Sequence, residues 1–193
     1  MDMVTSAPEI APPVVELRKL WWVGGAFAML IGALNVEGLW ALNFVHVLAG
    51  LLWTGIDLFM GFVVGPILRR LEPPARRAFT LALMPHMILL MPTLAIITGT
   101  AGWFLAQRAG FLDVAYPQRW WVVAALVIIA ILTIQGFGIL LPTNLRVCLE
   151  LRKERPDYQR IGGWMRRYVR AVAFQGCLQV TIIVIMARFV TGL

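Results

Sequence analysis

Charge is scarce in this sequence. Asp, Glu, Lys and Arg make up 14% of it, against roughly 25% in an ordinary soluble domain. Hydrophobic residues reach 60%, where roughly 45–50% is usual, and the mean hydropathy is +0.80. That excludes a water-soluble domain and points to an integral membrane protein. Cysteine is scarce too. Cys148 and Cys177 fall in or beside apolar runs on the cytoplasmic side, which excludes a disulfide framework. Histidine occurs only as His46 and His86, too few for two bis-histidine haems, so a two-haem cytochrome b bundle is excluded. There is no CxxC pair, no P-loop, no GxGxxG and no Ser/His/Asp set. A basic n-region is missing from residues 1–17, which are acidic and proline-rich. They read as a disordered cytoplasmic tail, not a cleaved signal peptide.

What is present is long apolar runs. Five stand out, at about 20–37, 40–67, 79–106, 120–143 and 168–192. All but the first clear the ~20 residues that a bilayer demands. The expected fold is an all-α integral membrane bundle of five transmembrane helices, one domain over 18–193. Arginine settles the orientation. Arg69, Arg70, Arg76 and Arg77 follow the second run. Arg146, Arg152, Lys153, Arg155, Arg160, Arg166 and Arg167 lie in the stretch 144–167, read as a loop. Arg18 and Lys19 precede the first run, whereas the opposite loops hold only Arg108 and Arg119. The positive-inside rule then gives N-terminus in and C-terminus out. The net charge of +7 is therefore a topology signal, and nucleic acid is no partner. Trp21, Trp22, Trp40, Trp103, Trp120, Trp121 and Trp164 fall near run ends, as an interfacial belt would.

Polar residues inside the runs can be ranked by depth. Asp57 is nine residues from Pro66, and His86 is eight from Ala78 on the antiparallel neighbour. Gln135 is nine from Asn144, while Gln175 and Gln179 are seven and eleven from Tyr168. These five form a polar layer in the cytoplasmic-side third, with Asp57 expected to face His86 and Gln135 or Gln179 close by. A carboxylate within a span is costly and marks either function or a buried partner. His46 lies near the outer surface, closer in depth to Asn35, Glu37, Thr98, Thr100 and Met186. Its axial offset from His86 is roughly 18 Å, too far for both to clamp one haem iron.

His46, Gly50, Trp53, Asp57 and Gly61 form one stripe on a 3.6-residue helix. The small residues admit a close helix or a flat ligand. Met84, Met87 and Met91 stand beside His86, and thioethers with imidazole suit copper(I). Such a stripe is also ordinary adaptable packing.

The arrangement His46–Trp53–Gly55 followed by "GPILRR" resembles the first motif helix of a group of small bacterial membrane proteins. This group comprises the copper-resistance D type, the HemJ-type protoporphyrinogen oxidases and the membrane part of some urate-oxidising proteins. "LMPHMILLMPTLAIITGTAGWFL" is similar to the next helix of the HemJ type. The resemblance covers about residues 42–106. It implies that His46 ligates haem b; on the same stripe of the helix, Gly50 would then leave room for the macrocycle and Trp53 would pack beside it. The second axial position would fall to Met186, to water or to nothing. HemJ-type proteins carry a lysine before the second motif helix. Here no lysine lies between Lys19 and Lys153, so the lysine-dependent site and the oxidase activity are not carried over.

The leading expectation is thus a multi-pass protein of the bacterial inner membrane that binds haem b and acts in redox or porphyrin chemistry or electron transfer. A copper-handling protein using Met84, His86, Met87 and Met91 is the second reading. The third is a non-catalytic accessory subunit, partnered by another membrane protein or by copies of itself.

Overall fold

The computed structural model describes residues 20–192. The tail expected over 1–17 lies outside the described residues. Among the described residues every regular element is a helix. Five helices follow in order: α1 (Trp21–Asn35), α2 (Trp40–Arg70), α3 (Pro73–Arg108), α4 (Arg119–Leu151) and α5 (Tyr158–Val190). The last four are long and apolar enough to cross a membrane. α1 has 15 residues, about 22 Å of rise, against ~30 Å of hydrocarbon. Of the five expected spans, then, four have the length and the first falls short.

The basic connections are shorter than expected. Only Leu71 and Glu72 separate α2 from α3. Most of the stretch 144–167, read as a loop, is helical. Its Leu, Arg, Glu, Gln and Met residues are good helix formers, and its apolar face buries Val147, Cys148 and Leu151. Asp157 stops the turn by accepting hydrogen bonds from the backbone N–H groups of Gln159 and Arg160, both at 3.0 Å. These satisfy two orphan donors at the start of α5. Glu150 ties the same turn together, meeting Lys153 Nζ at 2.7 Å and accepting from the Asp157 N–H. Across the gap, the Arg77 guanidinium donates to the carbonyls of Leu151 and Lys153, each at 3.0 Å.

Two helices change pitch partway. α2 widens to a π turn over Met60–Val64, and α4 does so over Gly136–Leu140. Each π turn ends two residues before a proline, Pro66 and Pro142. Proline has no N–H, and its ring clashes with the carbonyl four residues back. A wider turn moves that carbonyl aside. Pro85 and Pro92 lie inside α3 without interrupting it.

The four long helices close a ring. α2 packs on α3, α3 on the second half of α4, α4 on α5, and α5 back on α2; α1 lies outside against α2 and α3. Arg108 on α3 caps α1 by donating to the carbonyls of Leu34 and Val36. Leu42, Val45, Ala49, Leu94, Ile97, Ala101, Leu132 and Ile185 form the dry centre. Phe44, Val47, Leu51, Phe62, Ile134 and Val184 face outward instead. So much exposed apolar surface is stable against lipid and not against water.

Candidate functional site

Two polar stations interrupt the apolar interior. The first is His46, near the end of the bundle opposite the arginines. Its Nδ1 lies 2.9 Å from the Thr98 carbonyl oxygen on α3. A carbonyl only accepts, so Nδ1 carries the proton and Nε2 keeps its lone pair. Gly102, one turn further along α3, makes this seat possible. A Cβ there would stand 2.6 Å from His46 Cε1 and 2.8 Å from Nδ1.

Gly50 and Trp53 are engaged elsewhere. A Cβ on Gly50 would meet Thr98 Cγ2 at 3.4 Å, an ordinary contact, so this glycine faces α3 on the side of Thr98. Trp53 is buried and lines a cavity on its other side, toward Asp57. His46 and Gly50 thus both lie against Thr98 of α3, while Trp53 reaches the cavity beside Asp57. Met186 is partly buried against the apolar core.

The second station is Asp57. Its Oδ2 accepts hydrogen bonds from Gln175 Nε2 at 2.5 Å and Gln179 Nε2 at 2.8 Å. Both glutamines are almost fully buried on α5. Four residues apart, they share one face of that helix and meet α2 together. Hydrogen bonds to a charged acceptor are stronger than neutral ones, roughly 1.5–3 kcal/mol each. They offset the desolvation of the carboxylate. Gln135 donates to the Ala171 carbonyl of α5 and so ties α4 into the same region.

Beside Asp57 is a small, partly open cavity of ≈ 40 Å³. Its polar wall is Asp57, Gln175, Asn144 and Tyr168; its apolar wall includes Trp53, Met87 and Met91. Gly136 and Phe137 of the α4 π turn complete it. Asn144 Nδ2 donates to the Tyr168 hydroxyl at 3.5 Å.

His86 does not join the expected layer. It is exposed on α3, with Nδ1 against the Ala82 carbonyl of its own helix at 3.0 Å. Depth placed it opposite Asp57, but the helix turns it outward. The same rotation parts it from Met87 and Met91, which face the cavity, so the proposed copper set of Met84, His86, Met87 and Met91 is not brought together. Among the described residues no three His, Cys, Asp or Glu side chains converge on a metal position. Gly61, the last member of the α2 stripe, is exposed, because the π turn shifts the face beyond Met60.

Gly102, Asn144 and Tyr168 are the functional candidates that sequence reasoning missed. Asn144 and Tyr168 read as span ends, since basic residues follow or precede them. The pairing of Gly136 with Pro142, like that of Gly61 with Pro66, was the available sign that the helix widens there. No protein-family model matches the chain, and neither curated proteins nor solved structures give a match.

Proposed function

We propose that the chain is a bacterial inner-membrane protein that binds haem b through His46 and works in redox or porphyrin chemistry or electron transfer. One observation carries this reading. The imidazole sits in a glycine notch, its Nδ1 proton bound to a backbone carbonyl and its Nε2 lone pair left for a metal. That arrangement is typical of histidine ligands, because the outer hydrogen bond fixes the tautomer and raises the basicity of the other nitrogen. Haem b, when bound, supplies one-electron exchange at its iron. The chain's own part is to hold the proton on Nδ1 through Thr98 and to orient the ring through Gly102. In this reading Gly50 leaves room for the macrocycle and Trp53 packs beside it.

In the same reading the protein has five spans, with the N-terminus in the cytoplasm and the C-terminus in the periplasm. The supporting feature is the arginine distribution. Arg69, Arg70, Arg76, Arg77, Arg146, Arg152 and Arg160 gather where α2, α3, α4 and α5 meet, and such a cluster favours the cytoplasmic face.

The test is the visible spectrum of the purified full chain, expressed with adequate haem. A Soret band supports the reading, and a colourless protein refutes it.

A further inference from the structure

The arginines at the end of the ring are not all used alike. Arg76 donates to the Leu71 carbonyl, and Arg77 to those of Leu151 and Lys153. Arg160 meets Asp157 at 3.0 Å. Arg70 has no such partner. Among the described residues its side chain makes no hydrogen bond and no ion pair, although Glu72 stands close by in the chain.

Arg70 borders a groove instead. This shallow groove on the outer face of α2 is lined by Phe62, Val63, Pro66, Ile67 and Arg70. All five residues belong to α2, so the groove opens away from the ring of helices. Phe62 is 79% exposed and Ile67 53%. Phe62, Pro66 and Arg70 follow one another at intervals of four, so the groove runs along the helix axis. It lies where α2 returns from its π turn to ordinary pitch.

Length and chemistry select the occupant. From Phe62 to Arg70 the helix rises roughly 12 Å. One leaflet contributes about half of the ~30 Å of hydrocarbon. A groove that starts at the arginine end therefore spans most of one leaflet, as an acyl chain does. Its apolar length suits that chain, and its mouth holds a guanidinium, which matches phosphate oxygens in a bidentate fork. A zwitterionic headgroup brings its own ammonium to the phosphate. An anionic one does not, and its charge favours the basic end of the bundle, where Arg69, Arg76 and Arg77 adjoin Arg70 in the chain.

We propose that this groove is a binding site for one anionic phospholipid, with its phosphate on Arg70 and an acyl chain along Phe62, Val63, Pro66 and Ile67. The site lies outside the ring and does not depend on haem.

Native mass spectrometry of the detergent-purified full chain tests this, by titration with phosphatidylglycerol or with phosphatidylcholine of the same acyl chains. Wild type is expected to hold the first phosphatidylglycerol about fivefold more tightly, the factor that ~1 kcal/mol per arginine represents. Arg70→Gln should remove that preference. Arg69→Gln takes away the same charge outside the groove lining and should keep it. Phe62→Ala removes part of the apolar wall and should weaken both lipids. Should Arg70→Gln fail to give monodisperse protein, the wild-type preference and Phe62→Ala decide. Equal affinity of wild type for the two lipids overturns the proposal. So does an Arg69→Gln loss as large as that of Arg70→Gln, since overall charge and not the groove then attracts the lipid. Phe62→Ala protein that binds like wild type overturns it too. A dimer that Phe62→Ala dissociates would put a second copy in the groove, and overturns it equally.

Discussion

At the scale of single residues, position along a helix was more readable than direction around it. Counting depth set Thr98 near His46 and the two glutamines near Asp57, and in the structure those groups are bonded. The same count set His86 opposite Asp57, yet His86 faces outward. Rise is nearly constant at about 1.5 Å per residue, whereas the facing of a side chain depends on which helices are neighbours. Gly102 was not legible for a related reason. Glycine in a membrane helix is common, and only the partner ring shows what this one admits. A Cβ at 102 would overlap the imidazole, so Gly102→Ala should push His46 off the Thr98 carbonyl. Overpacking of this kind costs typically 1–3 kcal/mol. Thermal unfolding should show that loss, and unchanged unfolding would mean the ring has another comfortable position. Gln179→Leu should cost a similar amount, about 1.5–3 kcal/mol, because Asp57 keeps only one of its two donors. A variant as stable as wild type would show that Gln175 alone suffices.

At the scale of elements, long apolar runs gave helix number and rough extent. Pitch was hidden. The π turns at Met60–Val64 and Gly136–Leu140 rotate everything after them, so a stripe drawn at 3.6 residues drifts off its face. That is why Gly61 fell out of the α2 stripe. It is also why Asn144 points into the bundle although it looked like the end of a span. The helical extension of α4 to Leu151 was obscured by its arginines, which mark a membrane boundary without ending a helix. Deleting Gly138 removes the extra residue that the α4 π turn takes up, so the helix should close to ordinary pitch and keep its following face. Cys148, 0% exposed in the native chain, should then stay protected from a thiol reagent, as peptide mapping by mass would show. Cys148 that becomes reactive after the deletion would show that the π turn does not absorb an extra residue.

At the scale of the whole molecule, charge distribution and hydropathy fixed more than motif did. Four helices have the length and apolarity to cross a membrane, and most of the arginines collect at one end of their ring. Whether α1 also crosses decides the side of the N-terminus. The five-span reading expects Pro74→Cys and an N-terminal reporter on the cytoplasmic side, with Thr191→Cys on the other. Pro74 and Thr191 labelling from the same side would break the topology. An N-terminal reporter on the far side would reduce the spans to four. The central claim, that His46 holds haem b, rests on one imidazole, and the paired spectra of His46→Ala and His86→Ala test it most directly. His86→Ala protein should keep the Soret band, because that ring bonds only its own helix. His46→Ala should insert normally and lose the band. A His46→Ala protein that retains its Soret band would contradict the account and leave His46 as a hydrogen-bonding residue between α2 and α3.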